Sequence, residues 1–383
     1  MKNYGLILLI KFFWYTISPF NDKDFHYRVK NILLILCFIF LFGALQIFNR
    51  FFLILDNLFF PKFKNIKIDN PFFILGIPRS GTTFLHKNLS YDKKNFTTCS
   101  LQEMIFAPSI IQKLTFKTLL RLDIIIGSPI QKIIKFFENF IFKNINDAHE
   151  SSLDSPEEDF LLLLPYSACF LLIFLFPFKE IWNFAFFNKS IGVQSRKEIL
   201  KLYKRMIQRH MYVYGNNKKY LSKNASFSSW IFDLKKNFPD MNVVYCIRKP
   251  SKAVPSINSV MKKGWNTLNI SMKRKKLDDK VLEMMAHYYE SAALYNRKMK
   301  RENFTVVKMC NIQNKLVHVI EHLYSKSNIN YDDNYKTFIK HESLKSKDYI
   351  SKHTYKENQT DILSNLLQLE SHYKELKAFD DIK

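Results

Sequence analysis

A three-layer α/β fold around a central parallel sheet, preceded by an apolar helical arm, is what this sequence predicts. Three observations carry the prediction. From Pro71 onward, short apolar runs alternate with amphipathic helical stretches, the order that builds a parallel sheet with helices on both faces. A glycine-bounded turn, Gly76 to Gly81, joins the first of these strands to the first of these helices. Ahead of both lies a segment of different character, uncharged from Ile32 to Phe48.

Pro71 to Ile77 reads as a buried strand and Gly81 to Leu89 as the helix after it. Ser155-Pro156-Glu157-Glu158 fits a capping box, which predicts a helix from Pro156. Phe160 to Phe178 is apolar enough to resemble a membrane span, but Pro165 and Pro177 interrupt it, and it reads as buried core. From Arg196 to Met211, the positions Ile199, Tyr203, Met206, Ile207 and His210 share one helical face, and Gly215 can end that helix. A strand at Tyr220 to Ser222, a helix at Ser228 to Asn237 and a strand at Asn242 to Ile247 follow. Pro250 opens a further helix that Gly264 can stop. Met272 to Lys280 reads as a solvated charge run, and Val281 to Arg301 as a helix with Leu282, Met285, Tyr289 and Ala292 turned inward. Asn328 to Lys383 is polar and lysine-rich, and no element is assigned to it. Such a sheet binds ligands at the carboxyl ends of its strands.

The 383 residues carry 58 basic and 34 acidic side chains, a formal charge of +24. A surface of that sign attracts nucleotides, polyanionic substrates, anionic lipids or nucleic acids. The five cysteines are scattered and form no C-x-x-C, so neither a disulfide framework nor a zinc site is implied, and a reducing compartment is the default. Residues 1–69 form the expected arm and residues 70–383 the expected α/β domain. Ile32 to Phe48 meets only the lower limit of about 17 residues for crossing a bilayer, and Gln46 lies within it. A second run, Phe51 to Phe60, is broken by Asp56 and Asn57. This pattern suits helices lying in or on a membrane, with association through residues 5–60, and equally a helical arm packed on the domain. No small-residue cleavage site follows Gly5 to Ile10, so no secretory signal is expected, and the location is membrane-associated or cytoplasmic.

Gly76 to Thr83 is close to the phosphate loop G-x-x-x-x-G-K-[ST], with Thr82 where the lysine belongs. A strand ends, two glycines permit a tight turn, and the N–H groups opening the next helix point at an anion. Thr82 and Thr83 add hydroxyl donors, and Arg79 supplies positive charge. The strand Val243 to Ile247 ends in Arg248, where a magnesium-binding aspartate would serve a nucleoside triphosphate. A cation there argues for a second anionic group and against a metal.

The string Pro78-Arg79-Ser80-Gly81-Thr82-Thr83, followed by Arg248-Lys249-Pro250 and Ser256, resembles the sulfotransferase superfamily, in particular its P-R-S-G-T-T branch. The order of motifs matches over Phe72 to Met261, more loosely beyond. The resemblance implies a P-loop-like fold and a co-substrate, 3′-phosphoadenosine 5′-phosphosulfate (PAPS), with no metal. It makes Arg79, Ser80, Gly81, Thr82 and Thr83 the 5′-phosphosulfate loop, and Arg248 with Ser256 the 3′-phosphate pair. Lys223, in Leu221-Ser222-Lys223-Asn224, sits where similar proteins read L-K-S-P; here it is displaced by one and the proline is absent. In that family the lysine balances charge on the transferring sulfonate.

Sulfonate transfer requires a base for the acceptor's proton. Glu103 matches the glutamate that serves as base in similar tyrosyl-protein sulfotransferases, and His149 in Asp147-Ala148-His149-Glu150 is the second candidate; Glu103 is preferred. Glu157, Glu158 and Asp159 read as first-turn acids that complement a helix dipole. Lys352 and His353 fall in a basic, aromatic tail of the kind found after the core in such enzymes. Similar enzymes act on carbohydrate, lipid or protein acceptors. A P-loop kinase or NTPase is the rival enzyme class, weakened by the missing lysine and aspartate. A non-catalytic basic membrane-surface or nucleic-acid-binding protein is the other rival, although no specific nucleic acid is expected.

Overall fold

The computed structural model describes residues 10–14, 16, 25–27, 29–142, 152–215, 217–268, 270–272, 274–299, 301–347, 363–380 and 382. The central sheet has five parallel strands: β2 (Phe72–Gly76), β3 (Phe96–Thr97), β4 (Lys219–Lys223), β5 (Asn242–Ile247) and β7 (Phe304–Lys308), in the order β3-β4-β2-β5-β7. A separate antiparallel pair joins β1 (Phe25–Tyr27) to β6 (Ile270–Met272). Since side chains alternate across a strand, β2 sends Phe73 and Leu75 into one apolar cluster and Phe72 and Ile74 into the other. Both faces are therefore covered, which gives three layers.

One face packs on α2 (Thr82–Ser90), α9 (Leu316–Lys326) and α10 (Asp333–Lys347). The other packs on α6 (Val193–Tyr214), α7 (Pro250–Thr267), α8 (Arg274–Lys298), α11 (Leu363–Lys377) and the apolar segment beginning at Phe160. Beyond β3 lie α3 (Leu101–Phe106), α4 (Ile110–Ile125) and α5 (Pro129–Phe142). Both apolar runs of the expected arm lie in one continuous helix, α1 (Val29–Phe59), 31 residues long. Its two apolar runs are not interrupted at Arg50 or Asp56, because the domain satisfies both: Arg50 Nε donates to Pro165 O at 2.5 Å, and Asp56 pairs with Arg209 at 2.9 Å.

Several expectations need correction. No α-helix starts at Pro156: Ser155 Oγ bonds Ser152, Pro156 bridges Ser100, and a 3-10 helix begins at Asp159. Phe160 to Leu164 is buried, as core requires. Gly264 does not stop α7, which runs to Thr267; a Cβ at Gly264 would sit 2.6 Å from the Phe174 ring, so packing explains this glycine. The lysine-rich stretch after Met272 is the first two turns of α8 rather than a free charge run. The C-terminal region holds α10 and α11, with Leu369 and Leu376 buried. Asp380 bridges Val306 and closes the open edge of β7.

Candidate active site

β2 is the point where the sheet's strand order reverses, with β4 on one side and β5 on the other, and the crevice at its carboxyl end is where such sheets hold ligands. The loop at that end is held in an unusual backbone. Gly76 has φ 147° and Gly81 φ 88°, and Arg79, with φ 68°, adopts a left-handed conformation disfavoured for a side-chain-bearing residue. A Cβ on Gly76 would lie 2.3 Å from the Cys246 carbonyl, so only glycine lets β2 leave the sheet here. Gly81 caps α2, and Thr82 and Thr83 open it, so the free N–H groups of the first turn face the crevice.

The loop and the end of β5 are joined directly. Arg248 Nη1 donates to the Arg79 carbonyl at 3.0 Å, and Arg79 Nε donates to Ser256 Oγ at 3.3 Å. The Tyr289 hydroxyl bonds the Arg248 carbonyl, and Ser228 Oγ holds the Gly76 carbonyl at 2.9 Å. Five sequence-predicted residues, Arg79, Ser80, Gly81, Arg248 and Ser256, thus share one site. Ser80 Oγ and Asn224 Nδ2 are buried without a hydrogen-bond partner. The Ser80 hydroxyl, orphaned next to Arg79 in the loop that Arg248 braces, fits an anionic ligand.

Lys223 ends β4 opposite Ile74 of β2 and is almost fully buried. Its Nζ pairs with Glu158 Oε1 at 3.0 Å, and the Glu158 side chain is 29% exposed. This cation is therefore anchored. His86 of α2 lies near it; burial, helped by Lys223, pushes the imidazole down to about 3, so the ring stays neutral. Asp159, the residue after Glu158, is buried and raised to about 7 by desolvation, against hydrogen bonds from Tyr203 and Tyr220 and the nearby Ser222.

Glu103 lies elsewhere, beside the edge strand. It is the third residue of a capping box: Oε2 accepts from Ser100 N at 3.0 Å, and Ser100 Oγ accepts from Glu103 N at 3.4 Å. Burial pushes its carboxyl up, but Lys113, His210, the Ser100 N–H and Tyr214 together hold its pKa below the usual value. His210 Nδ1 is 3.8 Å from Glu103 Oε2, yet burial lowers the imidazole to about 4, so this is a polar contact and not an ion pair near neutrality. Cys99, Glu103 and His210 are close enough to share a metal ion, the one such group among the described residues. Burial keeps the Cys99 thiol protonated, pushed up to about 12, and the Lys113 ammonium beside the group opposes a cation. A cavity of about 260 Å³ lined by Glu103, Lys113, Lys117, Arg121 and Tyr214 opens there. His149, Lys352 and His353 lie outside the described residues.

The sequence did not show that Glu158 meets Lys223. Its partner Lys223 is far along the chain, and only the meeting of β4 with the segment after Pro156 reveals the pair. The S-x-x-E spacing of Ser100 and Glu103 was the available sign that Glu103 belongs to a helix cap.

Fold and site together define an α/β protein with a glycine-bounded loop at the switch point of a parallel sheet, its geometry suited to an anion, with Lys223 and Arg248 at the ends of the two neighbouring strands. The chain belongs to the sulfotransferase family, whose model, Sulfotransfer_3, matches residues 71–333. Among solved structures, it is similar to the sulfotransferase STF9 from Mycobacterium avium, with 15% identity, TM-score 0.74, and 99% of this chain and 91% of that chain covered. It is also similar to the sulfotransferase STF1 from Mycobacterium tuberculosis H37Rv, with 14% identity, TM-score 0.64, and 98% and 92% covered. At these identities the likeness speaks for the fold. No curated protein matches the sequence.

Proposed function

We propose that this protein transfers a sulfonate group from PAPS to the hydroxyl of an acceptor. The observation that carries the reading is the link from Arg248 through the Arg79 carbonyl to the loop, with Ser256 on the Arg79 side chain. It joins a loop suited to the 5′ end of a nucleotide to a second anion site suited to its 3′-phosphate. PAPS, when bound, supplies the electrophilic sulfonate on a phosphate leaving group.

The first-turn N–H groups of α2, Ser80, Thr82 and Thr83 hold the 5′ end, and Arg248 with Ser256 holds the 3′-phosphate. Arg79 and Lys223 stabilise charge on the sulfonate oxygens, work that needs fixed cations in a site closed to water. Glu158 takes the acceptor's proton. Two observations favour it over Glu103: its side chain is part-exposed and sits beside Lys223, and the Glu103 carboxylate is engaged by its own helix cap, Lys113 and Tyr214.

Calorimetric titration with adenosine 3′,5′-bisphosphate, compared with ATP and magnesium, tests the reading. Tight binding of the bisphosphate without metal is the expected result. Preference for magnesium-ATP would replace it with a kinase or NTPase.

A further inference from the structure

Helix α1 is built inside out for a helix in water. Its buried positions, Ile35, Phe42, Gln46, Asn49, Leu53 and Asp56, recur at heptad-like spacing and include three polar residues. Its outer face is apolar: Leu33, Leu34, Phe40, Leu41, Ile47, Phe48, Phe51, Ile54, Leu58 and Phe59 are all exposed. The polar residues on the inner side face the domain. Asn49 donates to Ile105 O and accepts from Gln112, and Asp56 accepts from Ile110 N and Ile111 N and pairs with Arg209. These bonds lock α1 to the start of α4. That helix and the turn after it expose Leu114, Leu119, Leu122, Ile124, Ile125 and Ile126. Near the N-terminus, Phe12 stacks on Phe176 at 4.1 Å and anchors the neighbouring exposed Trp14.

The charge pattern names what covers this face. From Ala107 to Phe137, the sequence contains Lys113, Lys117, Arg121, Lys132 and Lys135 and a single acid, Asp123, which is buried. Lys117, Arg121, Lys132 and Lys135 are exposed among the apolar side chains. Apolar residues interleaved with cations suit an anionic lipid surface, where each cation adds to the attraction; the nearest other acids, Glu103 and Glu138, are part-buried and bonded to Ser100 N and Leu153 N.

The orientation follows from α1 as well. Among the described residues it is the one helix long and apolar enough to cross a membrane. Its inner face, however, follows the domain from Ile35 to Asp56, about 32 Å at 1.5 Å per residue, which is the full depth of a bilayer's hydrocarbon. A helix bound to a folded domain over that length cannot also be surrounded by lipid. We propose that the outer face of α1, with the exposed apolar side chains of α4, docks the protein flat on an anionic lipid bilayer without crossing it.

The test does not depend on the proposed chemistry. Full-length protein is mixed with vesicles of phosphatidylcholine, alone or with phosphatidylglycerol, and floated on a density gradient. Cys37, exposed on α1, and Cys310, exposed elsewhere, are then labelled with an aqueous maleimide. The expected result is flotation that requires phosphatidylglycerol, with Cys37 labelling lost and Cys310 labelling kept. Replacing Lys117, Arg121, Lys132 and Lys135 together by Gln lowers partitioning more than about 100-fold, at about fivefold per charge, with circular dichroism confirming an unchanged fold. An N-terminal tag stays open to protease added outside the vesicles; its protection would show a span and overturn the flat arrangement. Cys37 labelled equally with and without vesicles would overturn lipid docking. So would a stable dimer in solution that buries Cys37 in the absence of lipid, because the face would then belong to a second copy.

Discussion

The Arg248 guanidinium donates to the carbonyl of Arg79 at 3.0 Å, so the end of β5 braces a loop residue held at φ 68°. One side chain thereby has two tasks, orienting the loop and presenting a cation to a second phosphate. Arg248→Ala is expected to weaken adenosine 3′,5′-bisphosphate binding by roughly ten- to hundredfold, the loss of about 1.5–3 kcal/mol that one hydrogen bond to a charged group represents. Calorimetry with adenosine 5′-phosphate separates the tasks. Binding of the monophosphate falls little if Arg248 serves the 3′-phosphate, and as far as the bisphosphate if it serves only the loop.

Assigning the acceptor's proton to Glu158 makes a contrast between carboxylates. Glu158→Gln is expected to lower kcat by about 10²–10⁴-fold, the usual worth of a positioned base, with little change in KM for PAPS. Glu103→Gln is expected to keep most of kcat and to lower the melting temperature only modestly, because Gln can still accept from the Ser100 N–H as Gln112 does from Ser109, and what is lost is the charge beside Lys113. His149→Ala is the third arm. Steady-state kinetics on all three decide, and near-normal kcat in Glu158→Gln removes the assignment.

Where local chemistry decides structure, the sequence was readable. The loop from Gly76 to Thr83, the strand from Asn242 to Ile247 and the face of α6 at Ile199, Tyr203, Met206, Ile207 and His210 rest on turn residues and apolar periodicity, and all are present. Long-range partners hid the rest. Ser155 has the composition of a capping residue, but Ser152 occupies its hydroxyl and Ser100 pairs with the next residue, so no α-helix follows. Strand β7 has no flanking turn signal and takes its register from β5. Glu158 acquires its meaning only from Lys223.

The ion pair of Asp56 and Arg209 pins α1 to the domain in a buried setting, and Asp56 also caps the first turn of α4. Burial raises the Asp56 pKa, with the Ile110 and Ile111 N–H groups and Arg209 opposing it. Removing one partner leaves an uncompensated charge, so Asp56→Ala is expected to cost about 3–5 kcal/mol in urea unfolding. The double variant with Arg209→Met should recover part of that loss. A double variant no better than Asp56→Ala would show that the α4 cap, and not the pair, carries the stability.

Asp159 gives the protein a pH dependence opposite in sign to that of an ordinary salt-bridged carboxylate. Desolvation raises its pKa to about 7 in the folded state, against about 3.9 for an unperturbed aspartate, with Tyr203 and Tyr220 donating to it. Between these values the folded chain holds a proton that the unfolded chain has released, so this group's contribution to stability falls as pH rises and levels off above about pH 7. The decline is on the order of a few kcal/mol over that window. Asp159→Asn, which keeps the shape without the titration, should flatten this part of the stability profile measured by denaturant melts from about pH 5 to about pH 8. An unchanged slope in the variant would mean that Asp159 is already ionised throughout, with its three polar neighbours outweighing burial.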